Sequence, residues 1–246
     1  MIGTSLPRSI LPSPNINERS GNKPVSILIL HYTGMETAEK ACDWLCREES
    51  QVSCHYLVDE KGRITQMVDE TMRAWHAGVS SWHGEEDINS FSIGIEIQNP
   101  GHGLGYLEFP AVQMDAVAAL AKDIVSRHAI AARNVLAHSD VAPGRKIDPG
   151  EKFDWRFLHT RGIGHFVEPE PLGGGSFLQE GDSGDPVFAL QAMLKLYGYG
   201  LEAGGTFDKR TKMVVEAFQR HFRQARVDGI ADASTVGTLH KLLRQA

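Results

Sequence analysis

The sequence predicts an α/β fold, a mixed central β-sheet covered by helices, followed by a small all-α unit of three helices. Three observations carry this reading. Two apolar runs, VSILIL (25–30) and SIGIEIQN (92–99), have the length and β-branched content of strands buried within a sheet. Between 112 and 128, Val117, Leu120, Ala121, Ile124 and Val125 fall on the i, i+3, i+4, i+7, i+8 stripe of an amphipathic helix. The stretch EPEPLGGG (168–175) has neither periodicity and reads as a linker.

Taken in order, residues 1–24 hold Pro7, Pro12, Pro14 and Pro24 and read as an extended arm. They lack the 7–15-residue apolar core of a secretory signal. Residues 36–48 read as a helix. HYLVDEKGRITQMV (55–68) reads as two short strands about a turn at Glu60-Lys61-Gly62, a hairpin signature. NVLAHSD (134–140) reads as a last strand ending in a polar turn. The predicted division is therefore a domain over 1–167, the linker over 168–175 and a helical unit over 176–246.

The C-terminal unit contains a weak repeat. GTFDKRT (205–211) and GIADAST (229–235) share Gly-x-x-Asp-x-x-Thr, and each precedes apolar residues at helical spacing. Asp208 and Asp232 suit N-caps, because a short carboxylate accepts the free amide hydrogens of a first helical turn. A helix over roughly 184–197, with Val187, Leu190, Leu194 and Tyr197 on one side, supplies the third.

Composition excludes several classes of function. The chain has 246 residues, 41% of them hydrophobic and 23% charged, which is the range of a folded globular protein. A net charge of −6 argues against nucleic-acid binding through a broad basic surface. That charge divides into −7 before residue 176 and +1 after it. No apolar run approaches the ~20 residues of a transmembrane helix. Cys42, Cys46 and Cys54 cannot all pair with one another, so a disulfide framework is not expected; inert thiols are the plainer reading. A thiol enzyme built on Cys54 and His55 fails because neighbours on a strand point to opposite faces.

The chemistry-bearing residues gather at strand ends. His31 ends the first buried run and His138 the last, where ligand sites of α/β sheets collect. Asp148 follows in GRKIDPG. Two imidazoles and a carboxylate suit zinc, which in catalytic sites takes three protein ligands and leaves a fourth position open. Satisfied polar residues at strand ends are the alternative. Glu96, in the middle of SIGIEIQN, shares a face with Gly94 and Gln98, and an ionised Glu buried there is costly unless paired or metal-linked. Lys146 lies two residues before Asp148 and projects toward whatever Asp148 holds, unless it is a solvated loop lysine.

The ordered pieces LILHYTG, SCHYLVDEKGRITQMV, RAWHAG, SIGIEIQN, VLAHSD and GRKIDPG, over about 25–155, resemble the zinc-dependent N-acetylmuramoyl-L-alanine amidases of the amidase-2 type. These share a fold with peptidoglycan recognition proteins. The resemblance implies His31, His138 and Asp148 as zinc ligands, Glu96 as the acidic catalytic residue and Lys146 as its lysine partner. Trp75 and His76, in RAWHAG, and Asn99, after the strand of Glu96, are expected to line the groove that meets substrate, with a core aromatic and structural hydrogen bonds as the alternative reading. GDSGDPVFALQAMLKLYGY, GGTFDKRT and VDGIADAST are similar to the three-helix peptidoglycan-binding module of cell-wall hydrolases. The combination is similar to the outer-membrane-anchored amidases of Gram-negative bacteria, although no signal with a lipidated cysteine is visible. The expectation is a hydrolase of the bond between the muramic acid lactyl group, intact or 1,6-anhydro, and L-alanine. Its expected partners are peptidoglycan or muropeptide fragments, with no protein partner evident. The binding module favours the cell envelope, the missing signal the cytoplasm. The competing expectation is a peptidoglycan-recognition protein without hydrolytic activity.

Overall fold

The computed structural model describes residues 1–21 and 24–245, so Asn22 and Lys23 of the predicted arm and the terminal Ala246 lie outside the described residues. Along the chain the strands are β1 (Ser9–Ile10), β2 (Ile16–Glu18), β3 (Ile27–Tyr32), β4 (Tyr56–Val58), β5 (Ile64–Gln66), β6 (Met72–Ala74), β7 (Ser92–Ile97) and β8 (Val135–Ala137). The helices are α1 (Ala38–Leu45), α2 (Ile88–Phe91), α3 (Ala111–His128), α4 (His138–Val141), α5 (Trp155–Thr160), α6 (Asp185–Tyr197), α7 (Lys209–Phe222) and α8 (Ala233–Gln245). Six strands form a mixed sheet in the order β1-β5-β4-β7-β3-β8. Its pairs are parallel except β4 with β5, the predicted hairpin, whose turn places Gly62 at φ +75°.

Alternation along β3 decides what covers each face of the sheet. Leu28 and Leu30 join a core with Ile93, Ile95 and Ile97 of β7 and the buried stripe of α3, Met114, Val117, Leu120, Ala121 and Ile124. Ile27 and Ile29 point the other way, into a core with Leu136 of β8 and Val187, Leu190, Val214, Phe218 and Leu239 of the C-terminal helices. The apolar interior therefore continues across 168–175 and joins this face of the sheet to α6–α8, with α7 packed against α4. A third cluster sets Ala38, Ala41 and Leu45 of α1 against Leu57 and Ala74.

The predicted N-caps form as expected. Asp208 accepts the amide of Thr211 at 2.8 Å, and Asp232 that of Thr235 at 2.8 Å. Other details differ. The arm contributes two strands: β1 joins the edge of the main sheet and β2 pairs with β6. The last strand stops at Ala137, and His138, expected at the end of that strand, opens the single helical turn α4. The Asp140 carboxylate accepts the Ala137 amide at 2.8 Å and closes a turn that strand propensity alone would not predict. The helix expected over 36–48 is α1, shortened to Ala38–Leu45 and started by Thr37, whose hydroxyl accepts the Lys40 amide.

Candidate active site

The site forms at the carboxyl ends of β3, β7 and β8, where parallel strands release their chains into loops. His31 and Glu96 are register partners on β3 and β7 and so project from one face of the sheet. His138 comes from the start of α4 and Asp148 from the loop that follows. His31, His138 and Asp148 are all buried, and their ligand-type atoms converge. The two Nδ1 atoms of the histidines stand 2.9 Å apart, and Asp148 Oδ2 lies 3.1 Å from that of His31 and 3.0 Å from that of His138.

The tautomers of both rings follow from their far sides. His138 Nε2 faces the Ala77 carbonyl at 3.1 Å and must donate to it, which leaves Nδ1 of the neutral ring as a lone pair. For His31 the constraint runs through three residues. Ser92 Oγ donates to the Ile88 carbonyl at 2.7 Å, so toward His76 Nε2, 3.1 Å away, it accepts. His76 Nδ1 is then an acceptor, and His31 Nε2, 3.0 Å from it, donates. His31 Nδ1 is left as a lone pair pointing at the other two. Burial above all, and then His138, lowers the His31 ring to about 4, so it is neutral near pH 7. Two lone pairs and a carboxylate crowded within about 3 Å repel one another unless a cation lies among them, which is the donor chemistry of a metal site. The three residues fit a metal ion.

Glu96 faces the same space. Its Oε2 is buried with no hydrogen-bond partner among the described residues. Burial, and then the Asp148 carboxylate, raise its carboxyl well above the ordinary value, while Lys146 acts in the opposite sense. Lys146 and Glu96 line one cavity of about 360 Å³ with His138, Asp148, Tyr32 and Trp75. Trp75 stands on its wall, with the indole donating to Asn17 Oδ1 at 2.6 Å. His76 touches the cavity, but both ring nitrogens are occupied by His31 and Ser92, so its place is behind His31. Asn99 is buried away from the wall. Its amide donates to the Leu107 carbonyl at 2.9 Å and its oxygen accepts the Gly101 amide at 2.9 Å, so it holds the 99–107 loop instead of meeting the cavity.

Sequence reasoning missed Ser92, Gly94 and Arg145. A Cβ on Gly94 would lie 2.6 Å from the His76 ring, so the small residue makes room for that histidine. Arg145, beside Lys146, donates to the Val79 carbonyl at 3.0 Å and to the Ala77 carbonyl that also receives His138. Its adjacency to Lys146 was the one available signal. The rejected thiol reading stays rejected, since burial above all raises the Cys54 thiol well above its ordinary value.

Comparison with known proteins agrees with this geometry. Residues 21–151 match the family model described as N-acetylmuramoyl-L-alanine amidase, just over half of the chain, and residues 183–239 match a peptidoglycan binding domain. The chain is 37% identical over 236 residues to the N-acetylmuramoyl-L-alanine amidase AmiD of Escherichia coli, covering 90% of this chain and 83% of that protein. It is 33% identical over 162 residues to the 1,6-anhydro-N-acetylmuramyl-L-alanine amidase AmpD of Citrobacter freundii, covering 59% of this chain and 84% of the relative. Among solved structures, Escherichia coli AmiD in complex with the substrate anhydro-N-acetylmuramic acid-L-Ala-D-γ-Glu-L-Lys superposes with a TM-score of 0.77 at 34% identity, covering 93% of this chain and 92% of that one. AmpDh3 from Pseudomonas aeruginosa gives 0.75 at 30% identity, covering 93% and 95%. A buried His-His-Asp donor set beside an unpaired glutamate, carried on a chain that matches in sequence and in fold, places this protein in the N-acetylmuramoyl-L-alanine amidase family, and it is an amidase.

Proposed function

We propose that this amidase hydrolyses the amide between the lactyl group of N-acetylmuramic acid, intact or 1,6-anhydro, and L-alanine of the stem peptide. In this reading zinc is the metal, His31, His138 and Asp148 its ligands, and Glu96 and Lys146 the catalytic pair. The observation that carries it is the convergence of two tautomer-fixed Nδ1 atoms and one carboxylate oxygen, pairwise 2.9–3.1 Å apart, beside a glutamate with a free buried oxygen. Nitrogen and oxygen donors with an open side are the ligand set of catalytic zinc.

Zinc, when bound, supplies Lewis acidity that makes attack by water feasible near neutral pH. The remaining work falls to the protein. Glu96 accepts a proton from the attacking water and returns it to the departing amine of alanine, and its raised basicity suits both transfers. Lys146 faces the carbonyl oxygen as it gains negative charge, and its ammonium stabilises that charge. Trp75 and Tyr32 wall the cavity in which the amide must lie. The peptidoglycan-binding match and the likeness to AmiD support a role in the cell envelope; among the described residues no helix is long and apolar enough to cross a membrane.

The test is release of stem peptide from purified muropeptides, intact and anhydro, with and without a chelator. Hydrolysis abolished by the chelator and restored by stoichiometric zinc is the expected result. Full activity in demonstrably metal-free protein overturns the metal assignment, and cleavage between peptide residues overturns the bond assignment.

A further inference from the structure

We propose that the C-terminal helices are a working part of the active site: Tyr199 and His221 hold Asp140, and Asp140 holds the turn that delivers His138. Asp140 lies two residues after His138 and is fully out of solvent. Its Oδ2 accepts the Ala137 amide at 2.8 Å, which fixes the point where β8 passes into α4. The rest of its hydrogen bonding comes from beyond the linker. Tyr199 donates its hydroxyl to Oδ1 at 2.8 Å, and His221 Nδ1 stands 2.6 Å from Oδ2. His221 is clamped between Trp155, stacked at 3.7 Å, and Phe222, at 3.8 Å, so its ring cannot turn away. A buried carboxylate stripped of such donors does not keep its position, because it either leaves for water or drags water in.

The same helices also back the loop that follows. Arg210 donates to the Pro143 carbonyl at 3.1 Å, and Met213 packs so closely on Gly144 that a Cβ there would lie 2.2 Å from its sulfur. The segment 137–148 carries His138, Lys146 and Asp148, and bundle side chains meet it at Asp140, Pro143 and Gly144. His31 and Glu96, by contrast, sit on β3 and β7, central strands paired on both sides within the sheet. The bundle is thus a positioning element for one side of the site, and Tyr199 and His221 are positioning residues.

This inference rests on reading His138 as a metal ligand, and the experiment keeps the two apart. In the full-length chain, Tyr199→Phe/His221→Phe retains the rings and removes both donors. Zinc affinity is measured by competition with a chromophoric chelator, and exchange of the Ala137–Val141 amides is measured in metal-free protein. The double variant is expected to stay folded, lose about ten-fold or more in zinc affinity, and exchange the Ala137 amide faster by a similar factor. In an Asp140→Asn background the same two substitutions should add almost nothing, because the route is already cut. Leu239→Ala, in the bundle core away from Asp140, should lower Tm yet leave affinity and Ala137 exchange unchanged. Wild-type affinity and exchange in the double variant, full additivity with Asp140→Asn, or an equal loss in Leu239→Ala overturns the proposal. A wild-type chain that takes up no zinc defeats the metal reading instead, and the exchange measurement then decides this one.

Discussion

The hydrogen-bond relay behind His31 makes a quantitative prediction about metal affinity. His76→Leu removes the acceptor that receives His31 Nε2–H at 3.0 Å and keeps an apolar side chain in the space beside Gly94. Two estimates of the cost agree. A buried donor left without its acceptor costs ~1–3 kcal/mol. Loss of the outer partner of a metal-bound histidine lowers affinity about 10–100-fold, which is ~1.4–2.7 kcal/mol. The expected loss is therefore about one to two decades in Kd for zinc. His76→Asn places an amide oxygen close to where Nδ1 stands and should recover most of the affinity. Ser92→Ala cuts the chain one link further out, leaving His76 free to choose its tautomer, and should cost less than His76→Leu. Gly94→Ala should resemble His76→Leu, because its Cβ occupies the ring's space. Competition against a chromophoric chelator, with circular dichroism to confirm folding, gives this order directly. The relay has no part in metal binding if His76→Leu holds zinc as tightly as wild type, or if Ser92→Ala is the more damaging change.

Three further predictions follow from the same geometry. Glu96→Gln should keep the metal but lose about 10²–10⁴ in kcat, measured as alanine-terminated peptide released from muropeptide; near-normal turnover would move the general base elsewhere. Lys146→Ala should lower kcat by about 10²–10³ with little change in KM, and a purely KM effect would make it a binding residue. Burial tends to raise the Glu70 carboxyl, but hydrogen bonds from Arg127, His128 and Tyr56 outweigh it and hold it at about 2 against an ordinary value of 4.5. A carboxyl depressed in the folded state gives stability that is complete above its unfolded pKa and is lost as pH falls from about 4.5 toward 2. Glu70→Gln should therefore lower Tm at pH 7 and flatten its decline across that acid window; a parallel decline for both proteins would show that another group controls it.

What could be read in the sequence depended on whether a signal was local. β3 and β7 are legible because burial on both faces leaves an unbroken apolar run, and α7 and α8 because their capping aspartates lie at the start of an amphipathic stripe. β1 and β2 span two and three exposed residues, too short for a period to appear, and they exist only because β5 and β6 offer free edges. The helical turn at His138 depends on a side chain two residues downstream whose other partners are Tyr199 and His221, so no local window contains the cause. His76 illustrates the same limit. RAWHAG suggested a groove residue, whereas its ring is engaged by His31, 45 positions earlier, and by Ser92, 16 later. The ligand trio could be proposed from strand-end positions and family resemblance, but the tautomers that make those rings usable as ligands arise only from these distant contacts.

The site is held in two different ways, and the difference predicts where it tolerates change. His31 and Glu96 are placed by sheet register: they are paired positions on adjacent parallel strands, each strand bonded on both sides. A slip of one residue in either strand would turn its site side chain to the α3 face and its apolar residues out of their core, so this half of the site can move only if the sheet itself fails. His138, Lys146 and Asp148 are placed by hydrogen bonds and packing contacts on loops, from Asp140, Arg210 and Met213. Each such contact contributes only ~0.5–1.5 kcal/mol and can be lost without unfolding the domain. Substitutions that weaken function while preserving the fold should therefore cluster in 137–148 and in the bundle residues behind it. Substitutions of the core-facing apolar residues of β3 and β7 should instead lower stability and activity together.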